Sequence, residues 1–114
     1  MIVLNKNNSI LINNDKLLID LDDRMFLYSI WEVNKISMLN TAQRLINNNL
    51  FLVIDTVNEV YMMGLNHPEF EDTVNSELKR LFAIDHLKVI DSMQTRGIDK
   101  EFILYKKERD KQYV

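Results

Sequence analysis

The sixteen residues LFLVIDTVNEVYMMGL, 50–65, include eleven apolar side chains and no lysine, arginine, cysteine or serine. A chain of 114 residues has material for one modest core, so few folds can hold such a block. As a helix it puts Leu50, Val53, Ile54, Val57, Val60 and Tyr61 on one face and leaves Phe51, Leu52, Met62 and Met63 among the polar residues opposite. As a hairpin it gives two β-rich strands, 50–54 and 60–65, and gathers Asp55, Thr56, Asn58 and Glu59 in the connection. The hairpin accounts for more of the pattern. Its connection has no Gly or Pro, and periodicity alone leaves the helix as the alternative.

Around this block the chain shows both periods. Ile2–Leu4 and Ile10–Ile12, separated by an Asn/Lys/Ser cluster, predict an N-terminal hairpin. Phe26, Leu27, Ile30, Trp31 and Asn34 follow helical spacing behind the acidic Asp20, Asp22 and Asp23, which predicts a helix over about 22–34. Met38, Leu39, Ala42, Leu45 and Ile46 predict a second helix that stops in Asn47–Asn49. In NHPEFEDTVNSELKRLF, Asn66 can cap, Pro68 suits a first turn, and Glu69, Glu71 and Asp72 suit the positive end of the dipole. Phe70, Val74, Leu78, Leu81 and Phe82 are its buried stripe. Ile84, Leu87, Ile90 and Met93 carry the spacing on towards Gly97, with a break near Asp85, and EFILYKK reads as a last strand. The expected fold is α+β over residues 1–107: several helices packed as a second layer on a small, mainly antiparallel sheet, with residues 108–114 a frayed charged tail. The alternative is a mostly helical domain with an N-terminal β-hairpin and a C-terminal strand.

Chemistry is sparse. Two glycines, Gly64 and Gly97, cannot build a phosphate-cradling loop, and the serines lack a nucleophile-elbow setting. Without cysteine there is no disulfide, thiolate metal site or thiol nucleophile. His67, Glu69, Glu71 and Asp72 carry metal-ligating atoms, but acidic residues in a first helical turn are explained by the dipole, and their spacing matches no metal motif. His86 falls between Phe82 and Ile90 as a boundary residue, and Asp85, Asp91 and Asp99 have no paired-carboxylate spacing. No metal, cofactor or catalytic residue is expected. The longest apolar run, Leu50–Ile54, is far below the roughly 18 residues of a membrane span. With no signal-peptide layout at Met1–Asp15 the expected location is cytoplasmic.

Charge separates the remaining functions. Residues 45–78 carry six acids and no Lys or Arg, whereas residues 79–114 carry nine cations and six acids. Nucleic-acid affinity rests on cationic neutralisation of phosphates, which the acidic midsection cannot supply. A small winged-helix-like DNA-binding regulator is therefore the alternative reading, with Gln43, Arg44 and Asn47 as its contacts; Lys35 and Arg44 are the only cations near them. The leading reading is a non-enzymatic regulatory protein, a homodimer, that binds another protein through an apolar surface. An enzyme is the third class, since a site assembled in three dimensions need leave no local motif. Thirteen asparagines against two alanines fit an AT-rich coding sequence such as a mobile element's, and under that origin an inhibitor of a host protein is one form of the leading reading. One face of residues 50–65 suffices for a core wall, so Phe51, Tyr61, Met62 and Met63, with Trp31 as neighbour, are the expected partner-binding or dimer interface.

Overall fold

The computed structural model describes residues 1–45 and 48–108. Residues 50–65 form a hairpin inside a five-stranded sheet, where β6 (Asn48–Thr56) pairs antiparallel with β7 (Val60–Gly64). Phe51 stands opposite Gly64, Val53 opposite Met62 and Ile54 opposite Tyr61. Thr56 replaces the missing turn glycine: its amide and its Oγ1 both donate to the Glu59 carbonyl, and Oγ1 accepts from the Glu59 amide.

Strand makes up about 48% of the described residues and helix about 22%, in two sheets. Both expected forms of the fold, several helices on a small sheet and a mostly helical chain, are thereby overturned. The larger sheet runs β1 (Ile2–Val3), β7, β6, β5 (Val33–Leu45) and β8 (Lys100–Lys106); the smaller runs β2 (Ser9–Asn13), β3 (Lys16–Asp20) and β4 (Met25–Ser29).

Where helices are expected over 22–34 and 38–46, the described residues are mainly the strands β4 and β5, joined by a 3-10 turn over Ile30–Glu32; Ile46 lies outside the described residues. In β4, Tyr28 and Phe26 alternate inward while Met25 and Leu27 are exposed. Their order also satisfies helical spacing, and over so short a run periodicity does not separate strand from helix. Asp20 ends β3, and Asp22 and Asp23 form the turn that follows: Asp22 sits at φ 76° and donates its amide to Asp20 Oδ1. β5 is an inner strand of the sheet, with Ile36, Ser37 and Met38 all fully buried, so it has no period-2 alternation to display. The N-terminal strands form but do not pair with each other. β1 lies parallel to β7, and β2 pairs with β3 across Asn14, whose φ of 55° suits asparagine.

From Phe70 the chain turns helical as expected. An α turn, α1 (Phe70–Asp72), passes through a π stretch, Thr73–Glu77, into a 3-10 turn, Leu78–Arg80. The break expected near Asp85 separates this from α2 (His86–Gln94), where Asp85 caps the Lys88 amide. Among the described residues, no helix is long and apolar enough to cross a membrane.

Two layers result, consistent with a shortest dimension of 24 Å. Ile36, Met38, Leu52, Ile54, Tyr61 and Met63 of the larger sheet share one core with Ile10, Ile12, Leu17, Ile19 and Tyr28 of the smaller. The helical segments lie on that same side: Phe70, Val74, Leu78 and Val89 join the core, and Asn40, on the face of Met38, donates Nδ2 to the Ser92 carbonyl at 2.8 Å.

Candidate functional site

Adjacent residues of a strand point to opposite sides of the sheet, so the hairpin's four candidate residues part into two pairs. Tyr61 and Met63 face the core and are 1% and 0% exposed. Tyr28 donates its hydroxyl to Asn58 Oδ1 at 2.8 Å, which leaves the Tyr61 hydroxyl as donor in the bond between the two phenols. Burial and that bond push the Tyr61 phenol well above the usual tyrosine range, so it stays neutral at physiological pH.

Phe51 and Met62 point to the other side and stand outside the main core cluster. On this outer face Val3, Met62, Val53, Ser37 and Ile103 are cross-strand neighbours across all five strands. Gly64, Phe51, Leu39 and Glu101 form the next row. Val3 is 38% exposed, and Leu39, Val53 and Ile103 are half-buried. Phe51 and Met62 are themselves nearly closed to water. Phe51 lines a cleft of about 690 Å³ together with Val3, Lys6, Asn66 and Pro68. The side chain missing at Gly64, opposite Phe51, leaves room for the Asn48 amide, which comes within 2.5 Å of where a Cβ would stand. A solvent-facing patch containing all four expected hairpin residues is thus not formed; the open part of this face is Val3, Leu39, Val53 and Ile103. Trp31 is 71% exposed but belongs to the Ile30–Glu32 turn. The next residue, Val33, pairs with Thr56, five positions from Phe51 along β6, or roughly 17 Å. Trp31 is therefore no neighbour of Phe51.

A second uncovered face belongs to the smaller sheet. Leu11, Leu18 and Leu27 stand side by side across β2, β3 and β4, with Leu11 38% and Leu27 55% exposed. Sequence reasoning missed these residues. The unbroken run Leu17, Leu18, Ile19 was the available signal, because it puts apolar side chains on both faces of one strand.

His67 is a structural residue. Its Nδ1 accepts the Glu69 amide at 3.0 Å, so the proton is on Nε2, which faces the carbonyls of Asn5 at 2.9 Å and Asn8 at 3.0 Å. The ring ties the Asn5–Asn8 turn to the start of α1, with both nitrogens engaged. No group of three His, Asp or Glu residues among the described residues could hold a metal ion. His86 is exposed at the start of α2, within 3.3 Å of Lys79 Nζ. Asp99 Oδ1 accepts the Ala42 amide.

Gln43 and Arg44 are exposed near the end of β5 and lie on no recognition helix; Asn47 lies outside the described residues. Arg44 donates Nε to Asn49 Oδ1 at 3.3 Å and shares a cleft of about 400 Å³ with Arg96, Asn40 and Asn66. The pair of helices that a winged-helix docking needs is the strand β5 instead. No protein-family model, no curated protein and no solved structure matches the chain.

Proposed function

We propose that this chain is a non-enzymatic, cytoplasmic interaction protein that binds another protein through the outer face of its five-stranded sheet. An inhibitor of a host protein, encoded on a mobile element, is one form of this reading. The observation that carries it is the row Val3, Met62, Val53, Ser37 and Ile103, which crosses five strands without a charged side chain. Such a row ordinarily lies beneath a second layer, whereas here the smaller sheet and the helical segments are on the opposite side. Lys35, Asp55 and Glu101 border the row, giving the apolar centre and polar rim typical of a docking surface.

A photo-crosslinking side chain at position 53 tests this in the native host. The expected result is one discrete adduct, absent when the crosslinker replaces exposed Leu87 on α2, and lost when Leu39→Glu is combined with it. No adduct from position 53, or the same adduct from 87, would overturn the reading.

A further inference from the structure

We infer that a second copy of this chain docks on the outer face of the three-stranded sheet, independently of the partner face proposed above. The face has three cross-strand rows. Leu11, Leu18 and Leu27 form the middle one; Ser9, Asp20 and Met25 lie on one side, and Asn13, Lys16 and Ser29 on the other. Lys16 and Asp20 thus flank Leu18 on the same face of β3, two residues away in either direction.

Two such faces can meet about a two-fold axis in the plane between them, along the leucine row or along β3. An axis along β3 sets Lys16 against Lys16 and Asp20 against Asp20. An axis along the leucines keeps leucine on leucine and sets each Lys16 against Asp20 of the other copy, Ser9 against Asn13 and Met25 against Ser29. The charges select the second arrangement. Among the described residues Lys16 has no close ion pair, although its charge attracts Glu32, and Asp20 accepts only the Asp22 amide, so both side chains can turn to the contact.

Occupant and strength follow from size. Three strands of five residues present on the order of 250 Å², well below the roughly 800 Å² per partner of a standard stable interface. The dimer is accordingly weak and transient, and forms only at high protein concentration. A second copy fits this limit because it supplies the complementary charges twice over by symmetry.

Sedimentation over a concentration series to about 1 mM tests the pairing. Lys16→Asp is a surface change and Asp20→Lys removes in addition only the acceptor of the Asp22 amide, so melts should show both folded; each turns both symmetry-related pairs into like-charge contacts. Alone, each should raise the dissociation constant about fivefold or more. Mixed together, the two variants should associate as tightly as the wild type, because lysines then face aspartates again. Leu18→Glu should abolish association with the melting temperature unchanged. A wild type monomeric to about 1 mM, a mixture no better associated than its components, or a dimer that survives Leu18→Glu would each overturn the inference. An adduct from position 53 would persist in all three cases if the partner-face reading holds.

Discussion

The two faces of the five-stranded sheet are made by the same strands from similar residues, yet only one is covered. Inward, Ile36, Met38, Leu52, Ile54, Tyr61 and Met63 are each at most 1% exposed and meet the smaller sheet and the helical segments. Outward, Met62, Val53, Phe51 and Leu39 are equally apolar; Phe51, which lines one cleft, and Met62 are nearly closed to water, whereas Val53 and Leu39 are only half-buried. Composition does not distinguish the faces; the presence of a second layer does. An apolar face without a layer is surplus to the monomer's core, and that surplus underlies the interaction reading.

The sharpest test substitutes two neighbours. Met63→Glu puts a carboxylate into the core with no partner and should cost about 4 kcal/mol or more, enough to unfold a small domain. Met62→Glu, one residue earlier, replaces a side chain that is also nearly closed to water but has neither the smaller sheet nor the helical segments on its side, so the carboxylate can turn outward and should cost below about 2 kcal/mol. Equal losses in chemical melts would mean that both faces are covered. The same contrast holds for truncation. Leu52→Ala leaves a cavity in the core and should cost about 3 kcal/mol. Half-buried Val53→Ala should cost about 1 kcal/mol or less.

Each face also has a polar arrangement, and the inner one responds to alkali. Tyr61→Phe removes the donor to Tyr28 and should cost about 1 kcal/mol near neutral pH. In the unfolded chain the phenol ionises near pH 10, whereas in the folded chain it ionises higher. Above about pH 10 the folded state therefore binds more protons than the unfolded state, and stability falls as pH rises. Melts at stepped alkaline pH should show the wild type losing its advantage over Tyr61→Phe there. A constant gap would place the Tyr61 hydroxyl in contact with water.

How much of this was legible depended on whether a segment declared its period. The hairpin at 50–65, the strand ending at Lys106, the helical turns from Phe70 and the break at Asp85 were readable because polar residues punctuate them. β4 and β5 were not. Phe26, Leu27, Ile30 and Trp31 satisfy helical spacing by coincidence, and the fully buried Ile36–Met38 stretch has no alternation. β4 pairs with the strand just before it and β5 with the strand just after it, so the hairpins are local, but their helical spacing and missing alternation hide them; only β8, the other partner of β5, is distant in the chain. The candidate face was half legible. The apolar excess of 50–65 pointed to a second surface, but assigning Met62 and Phe51 to one side and Met63 and Tyr61 to the other required the register.

The smallest effect lies on the outer face and tests its openness most directly. Lys35 Nζ reaches Glu101 Oε2 at 3.0 Å, and Ser37 Oγ donates to the same oxygen at 3.0 Å. Partial burial pushes the Glu101 carboxyl up, but the bonds from Lys35 and Ser37 outweigh it and hold the group below the usual glutamate range. Its contribution is therefore present above about pH 4.3, the ordinary glutamate value, and is lost as pH falls through the lower folded value. The two side chains are 28% and 38% exposed, so solvent screens the pair. Glu101→Gln should cost about 0.5 kcal/mol at neutral pH. The cost should shrink in about 1 M salt, where the screening length falls to roughly 3 Å. The two proteins should converge as acid protonates Glu101 in the wild type. A loss above about 1.5 kcal/mol that ignores salt is the behaviour of an ion pair buried under a layer. That result would mean the outer face is covered within the monomer, and it would remove the basis for assigning a partner to it.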